Sequence, residues 1–278
     1  MSKISDLEKR IILLALEEDE VNNDITTNSL SEYDSEISAL VIAKEKGIIS
    51  GTETFSSTFS AVDSSVIIKI LKKDGSPVSK NDHVIELFGL KSSILKAERT
   101  ALNFLQRLSG IATLTYKFTD LMKNSGIVLL DTRKTTPGMR ILEKKAVLDG
   151  GGENHRMNLM EMAMIKDNHI KMAGSISKAV DMIRKNSKNI KIEVEVTSIQ
   201  ELKEALSKKV DIIMLDNFNT NLLNEAVKLK YTGVKYEISG NVTLDNIHEK
   251  LHKGIDYISS GALTHSFRSL DLSLEMSG

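Results

Sequence analysis

Cysteine is absent from this chain of 278 residues. That excludes disulfides, thiolate nucleophiles and cysteine-held iron–sulfur or zinc centres. Tryptophan is missing too and proline occurs only 2 times, neither of which bears on activity. No charge of one sign dominates: 37 Lys and Arg stand against 38 Asp and Glu, a formal net charge of −1. No global field therefore favours nucleic acid or an anionic membrane, and any anion site must be a local cluster of Lys and Arg. No apolar run approaches the ~18 residues of a spanning helix. Met1–Ser5 leads into a charged helical pattern without the apolar core of a signal peptide. The expectation is a soluble cytoplasmic protein with no nucleic-acid or membrane partner.

The length allows one large α/β domain, or a barrel with a smaller companion domain. Ser5 is placed to cap a helix carrying Leu7, Ile11, Leu14 and Ala15 at helical spacing. A polar, turn-prone segment with Asn22, Asn23 and Asp24 follows. Glu36–Ala43, Val66–Leu71 and His83–Phe88 have strand patterns, with Asp74-Gly75 and Pro77 between the last two. The first ninety or so residues thus suggest a small α+β layer domain. A long helix is expected from about Ser92 to Asn124. Ile94, Ala101, Leu102, Leu105 and Leu108 form its apolar stripe, Arg99, Asn103 and Gln106 lie opposite, and Gly110 is a point where it could break or pinch.

After Gly126 the rhythm changes. Short apolar runs occur at Ile127–Leu130, Met162–Ile165, Ile192–Val196, Ile212–Leu215, Lys235–Ile238 and Asp256–Ser259, most of them separated by helical spacing. Alternating β and α units imply parallel strands with right-handed crossovers. The repeat suggests a closed or incomplete β/α barrel, with a doubly wound open sheet as the alternative.

Each run carries or ends in polar or small residues. The first leads into Asp131, Thr132, Arg133 and Lys134, and the second into Lys166, Asp167, Asn168 and His169. The third carries Glu193 and Glu195, and the fourth ends in Asp216. The last two end in Ser239-Gly240-Asn241 and Ser259-Ser260-Gly261. Parallel β/α proteins place their sites at the C-terminal ends of their strands, so a convergent site is the economical reading. Arg133, Lys134, Lys166 and the Gly150-Gly151-Gly152 turn with His155 and Arg156 would make it cationic. Arginine suits two-point contacts to carboxylate or phosphate, and lysine acts as a point charge. The turns at Ser239-Gly240-Asn241 and Ser260-Gly261-Ala262 can offer N–H groups to a phosphate. Glu195 and Asp216 suit ribose hydroxyls or an oxygen-loving ion such as Mg²⁺. The residues imply a substrate with several negative charges, a phosphate at one end and hydroxyls between.

Plainer readings stand beside these. Three consecutive glycines usually make only a tight turn. Lys144 and Lys145, on a helix with Glu143, read as solvated surface. His83, His248 and His252 read as structural or exposed, and Asp167 and His169 as braces for the Lys166 loop. Glu193 and Glu195 share a strand face and could simply pair with cations in a polar interior. The methionine-rich run Met157–Met164 reads as packing.

The residues Glu98–Asn103, Asp131–Gly138, Gly150–Arg156, Ile165–His169, Glu193–Glu195, Leu215–Asn217 and Gly261–His265 resemble the quinolinate phosphoribosyltransferases. Order and spacing hold from Asp24-Ile25-Thr26-Thr27 almost to the C-terminus. The chain departs from the family pattern at Asn241 and at Asn22-Asn23, where glycine is common. The resemblance implies an α/β protein, an irregular incomplete β/α barrel with an N-terminal α+β sandwich-like domain. The N-terminal domain would cover residues 1–110, with the tail 267–278 packing back on it, and the barrel residues 111–266. It also implies a homodimer or a higher oligomer in which Arg99 reaches the partner's site. Arg133, His155 and Arg156 would grip quinolinate, and Lys134 and Lys166 would lie between it and phosphoribosyl pyrophosphate. Glu195 and Asp216 would hold ribose and Mg²⁺, with Thr132 among the substrate contacts. The 5-phosphate would take the turns Ser239, Gly240, Asn241 and Ser260, Gly261, Ala262. The activity implied is phosphoribosyl transfer to quinolinate with decarboxylation. A paralogue associated with molybdate transport is the nearest alternative, and it tends to lose the segment that stands intact here as Lys166–His169. A Schiff-base lyase with Lys166 as nucleophile and a non-catalytic phosphosugar-binding module are more distant ones.

Overall fold

The Ser5 side chain accepts from the Glu8 N–H while the Glu8 carboxylate accepts from the Ser5 N–H, and this reciprocal cap starts helix α1, Asp6–Glu18. The computed structural model describes residues 4–277. Met1–Lys3, part of the segment read for a targeting signal, and Gly278, the end of the expected tail, lie outside the described residues. The chain continues through α2 (Ile25–Ser29), β1 (Glu36–Ala43), β2 (Gly47–Ile48), α3 (Thr52–Val62), β3 (Ile67–Ile70), β4 (Pro77–Val78), β5 (His83–Leu90) and α4 (Lys91–Leu121). Next come β6 (Val128–Leu130), α5 (Arg140–Asp149), β7 (Ala163–Ile165), α6 (Asp167–Ala173), α7 (Ile176–Asn186), β8 (Ile192–Val196) and α8 (Ile199–Ser207). The last elements are β9 (Ile212–Asp216), α9 (Thr220–Leu229), β10 (Lys235–Ser239), α10 (Ile247–Lys250), β11 (Tyr257–Ser259), α11 (Ala262–His265) and β12 (Leu272–Met276).

Two compact units emerge. The first runs to Tyr116 and takes in Thr136–Gly151 and the chain from Phe267. It is built on an antiparallel sheet in the order β12-β1-β5-β3, so the C-terminal strand pairs with the first long one. Val41, Ala43, Phe55, Phe59, Ile85, Ile94, Ala101 and Leu105 are among the residues of its core. The expected stripe of α4 is buried throughout, from Ile94 to Leu108. Gly110 neither breaks nor pinches that helix. Its missing side chain lets the Arg268 carbonyl approach, where an added Cβ would lie 2.3 Å from the oxygen.

Two other readings of this unit change. In α1 the buried apolar residues are Ile12 and Leu16, whereas Leu7 and Leu14 are exposed. A short helix with leucines on several sides leaves its buried face to whatever it packs on, here α3. In α5, Glu143 and Lys144 are fully buried, not solvated. Arg107 of α4 reaches Glu143 with Nη2 at 2.5 Å, Lys145 pairs with Glu53 at 3.2 Å, and Asp149 accepts from Ser50 at 2.6 Å. These polar ties group α5 with the first unit, although its place in sequence is between barrel strands.

The second unit, Lys117–Thr135 with Gly152–Ser266, holds a parallel six-stranded sheet in the order β6-β11-β10-β9-β8-β7. Its strands match the expected runs within one or two residues. The two end strands, β6 and β7, do not pair with each other, so the barrel is incomplete, an open array in the α/β class. No helix among the described residues is long and apolar enough to cross a membrane.

Candidate active site

Parallel register carries the strand ends of the second unit to one edge. Asp216 pairs with Ser239, Leu215 with Val196, and Leu130 with Ser259. The polar groups beyond each strand are therefore neighbours.

The loop after β6 is held from both sides. Buried Asp131 accepts from the His155 N–H at 2.8 Å, joining it to the segment that carries His155 and Arg156. Thr132 Oγ1 accepts from the Lys134 N–H at 3.0 Å, and the Lys134 carbonyl accepts from Thr264 Oγ1 at 2.9 Å. The Lys134 side chain lies across Gly261, where an added Cβ would stand 2.9 Å from both Lys134 Cδ and His265 Nε2. Arg156 donates from Nη1 to the Met162 carbonyl at 2.9 Å. Burial, and after it the charge of Arg133, pull the Arg156 pKa down against the opposing pull of Glu193. Lys166 Nζ is 3.1 Å from Glu195 Oε2. Arg133 thus lies close to Arg156, Lys166 pairs with Glu195, and Lys134 lies over Gly261, on segments that follow the strand ends.

The turns are shaped by backbone that few residues adopt. Asn217, Gly240 and Asn241 all have positive φ, +53°, +94° and +47°. A Cβ on Gly240 would meet Asn217 Oδ1 at 2.2 Å, so glycine allows the β9 and β10 turns to touch. Asn217 Nδ2 in turn donates to Asp216 Oδ2 at 2.9 Å. Ser260 is buried, donating from its N–H to the Leu130 carbonyl and from Oγ to the Val242 carbonyl, so both its protons are engaged. Gly261 and Ala262 follow it at the start of α11.

His155 faces inward. Its Nδ1 accepts from the Arg156 N–H at 2.8 Å, and Nε2 lies 2.9 Å from Glu193 Oε2 and 3.6 Å from Glu237 Oε2. Glu237 is absent from the sequence reading. Period-two alternation from Ser239 would have found it, because both face the same side of β10. Arg99 lies on α4 in the first unit and is exposed. The methionine-rich run is only partly packing: Met162 is buried, yet Met160 is 86% exposed. Leu159, Met164, Met172 and Met182 line a groove of about 840 Å³ that also reaches Arg156.

Comparison with known proteins identifies the family. The family description "Quinolinate phosphoribosyl transferase, N-terminal domain" matches residues 24–109, and its C-terminal counterpart matches residues 111–275. The chain is 41% identical to the chloroplastic nicotinate-nucleotide pyrophosphorylase [carboxylating] of Arabidopsis thaliana, over 96% of this chain and 82% of that protein. It is 40% identical to the probable nicotinate-nucleotide pyrophosphorylase [carboxylating] of Bacillus subtilis, over 93% and 90%. Among solved structures, NadC from Streptococcus pyogenes superposes with a TM-score of 0.94 at 38% identity, covering 100% of this chain and 99% of that one. The nicotinate-nucleotide pyrophosphorylase from Francisella tularensis does so with a TM-score of 0.95 at 40% identity, covering 99% and 98%. With both halves matched and the fold shared from end to end, the chain belongs to the quinolinate phosphoribosyltransferase family.

Proposed function

We propose that this protein transfers phosphoribosyl from 5-phosphoribosyl 1-pyrophosphate to quinolinate with decarboxylation, giving nicotinate mononucleotide, carbon dioxide and pyrophosphate, a step of NAD biosynthesis. As a member of this family it is a pentosyltransferase. The observation that carries the proposal is the placing of Arg133 close to Arg156 and of Lys166 on Glu195, at the ends of one parallel sheet whose neighbouring strand ends in Asp216. Such a site suits two anionic substrates that would otherwise repel.

In this reading Arg133 and Arg156 hold the two carboxylates of the pyridine. Thr132 shapes their loop. Lys134 and Lys166 face the pyrophosphate, and the turns at Ser239–Asn241 and Gly261–Ala262 take the 5-phosphate. The ring nitrogen forms its bond to the anomeric carbon as the bond to pyrophosphate oxygen breaks, and pyrophosphate leaves with that electron pair. The quaternised ring then accepts the electrons left when the adjacent carboxylate departs as carbon dioxide, and the carbon takes a proton from solvent. Lysine charge at the leaving group stabilises the transition state. Holding the partners in reacting geometry contributes as much as ~7–11 kcal/mol. No nucleophile of the protein is required.

A Mg²⁺ requirement is part of the proposal. Glu195 and Asp216 offer oxygen donors only, at neighbouring strand ends. Two carboxylates fit an ion that keeps waters and substrate phosphates in its shell. Bound there through ribose or water, it would neutralise pyrophosphate charge. A homodimer in which Arg99 contributes to the partner's site is proposed as well. The cytoplasmic location rests on the sequence reading, since the plant relatives are named chloroplastic or mitochondrial.

The test is release of pyrophosphate from 5-phosphoribosyl 1-pyrophosphate with Mg²⁺, product identified by mass, quinolinate against nicotinate. Product with quinolinate alone is expected. A folded protein that makes none, or that prefers nicotinate, overturns the assignment.

A further inference from the structure

Two threonine hydroxyls hold the backbone of Lys134, one on each side of the residue. Thr132 Oγ1 accepts from the Lys134 N–H at 3.0 Å, a bond that spans two residues and amounts to a local turn. Thr264 Oγ1 donates to the Lys134 carbonyl at 2.9 Å, across 130 residues of chain. Both residues belong to the second unit, and only its folding brings them together.

The second bond is not a by-product of helix geometry. In α11 the Thr264 hydroxyl also lies 3.3 Å from the Gly261 carbonyl, the usual back-bond of a helical threonine. A hydroxyl carries one proton, and the contact to Lys134 is the shorter. The Gly261 carbonyl already accepts from the Thr264 and His265 N–H groups, at 3.1 and 3.2 Å. Thr264 is 1% exposed, so its hydroxyl is spent inside the protein. The same tie brings the Lys134 stem across Gly261, where an added Cβ would lie 2.9 Å from Lys134 Cδ. Thr264 thus joins two places that the proposed function gives to opposite ends of one substrate. The Gly261–Ala262 turn takes the 5-phosphate, and Lys134 faces the pyrophosphate.

We propose that Thr264 is a positioning residue that sets the span between these two anion subsites, its hydroxyl fixing the Lys134 backbone against the Gly261 turn so that both ends of 5-phosphoribosyl 1-pyrophosphate are met without rearrangement. This rests on the subsites assigned under the proposed function. A fixed span favours a ligand that fills both subsites at once, because the ordering cost is met before binding. A ligand that fills one subsite alone gains little from it, since it follows that subsite wherever it moves.

The experiment compares Thr264→Val, which loses the hydroxyl and keeps the branched shape, with Thr264→Ser, which keeps the hydroxyl. Calorimetric titration in Mg²⁺ buffer measures the affinity of each protein for 5-phosphoribosyl 1-pyrophosphate, for inorganic pyrophosphate and for ribose 5-phosphate. Steady-state kinetics give the KM of each substrate. Thr264→Val is expected to bind 5-phosphoribosyl 1-pyrophosphate at least tenfold more weakly, with its KM raised to match. Pyrophosphate and ribose 5-phosphate affinities, and the quinolinate KM, are expected to stay within threefold. Thr264→Ser should stay within threefold of the wild type throughout. A parallel loss of all three ligands in Thr264→Val would mean a disordered site and overturn the proposal, as would a tenfold loss in Thr264→Ser. If Thr264→Val does not fold, Thr264→Ala takes its place with the same expectations, and Thr264→Ser keeps its power to overturn. A wild type that binds neither pyrophosphate nor ribose 5-phosphate sinks the substrate assignment and this proposal with it. A wild type that binds both, with Thr264→Val no weaker for the joined ligand, overturns the proposal and leaves the assignment standing.

Discussion

Arg133 and Lys134 are consecutive yet have different neighbours. Arg133 lies near enough to Arg156 to lower its pKa, while Lys134 lies over Gly261 beside His265. Neither is a buried structural ion pair, so each can be removed without opening the core. Arg133→Ala and Lys134→Ala are expected to cut kcat/KM at least about a hundredfold, roughly 2.7 kcal/mol of transition-state stabilisation, while thermal unfolding stays near the wild-type midpoint. Wild-type turnover in either would remove these residues from the site. Asp256 gives a contrasting, structural prediction. Burial alone would raise its pKa, but Lys230, the Tyr236 N–H and Lys235 together outweigh it and the pKa is lowered. A folded-state pKa below the unfolded one contributes stability above the unfolded value, and that stability is lost as pH falls through the folded value. Asp256→Asn should therefore cost about 1–2 kcal/mol at neutral pH. The gap between variant and wild type in urea melts should close below about pH 4. A gap that persists in acid would mean that packing, not charge, is responsible.

At the scale of elements, helix α4 shows how a residue can mislead when read alone. Glycine inside a helix costs about 1 kcal/mol against alanine by propensity, so Gly110→Ala would stabilise an isolated helix. Here the alanine methyl would lie 2.3 Å from the Arg268 carbonyl and 2.9 Å from Ser269 Cα, both backbone atoms. Overpacking of this kind typically costs about 1–3 kcal/mol. Gly110→Ala is therefore expected to lower the melting temperature by several degrees, and faster amide exchange around Leu270, which bonds to the Gln106 carbonyl, should accompany it. A neutral or stabilising substitution would show that the tail segment moves aside at little cost.

For the whole molecule, the prediction concerns assembly. Arg99 belongs to a different unit from Lys166 and is exposed on its helix. If the site is shared across a homodimer, Arg99→Ala and Lys166→Ala are each nearly inactive alone. Mixed and allowed to exchange, they should recover up to about a quarter of wild-type activity, because half the dimers are hybrids with one intact site each. No recovery, with subunit exchange proven by mass-tagged chains, would place each site within one chain.

Most of the second unit could be read directly from the sequence because its information is local. Short apolar runs bounded by turns mark parallel strands, and the residue after each run must lie at the C-terminal edge. Arg133, Lys134, Lys166, Glu195 and Asp216 are candidates on that ground, and the family resemblance rests on the same residues. What the chain determines only on folding depends on distant partners. Lys144 looks solvated on its helix beside Glu143, yet both are buried and Arg107, far away in sequence, pairs with Glu143, and α1 shows its leucines on several faces until α3 selects Ile12 and Leu16. The inward turn of His155 onto Glu193 and Glu237 joins a loop to two strands. Periodicity tells which way a side chain points, but burial and charge depend on what the rest of the chain places opposite it.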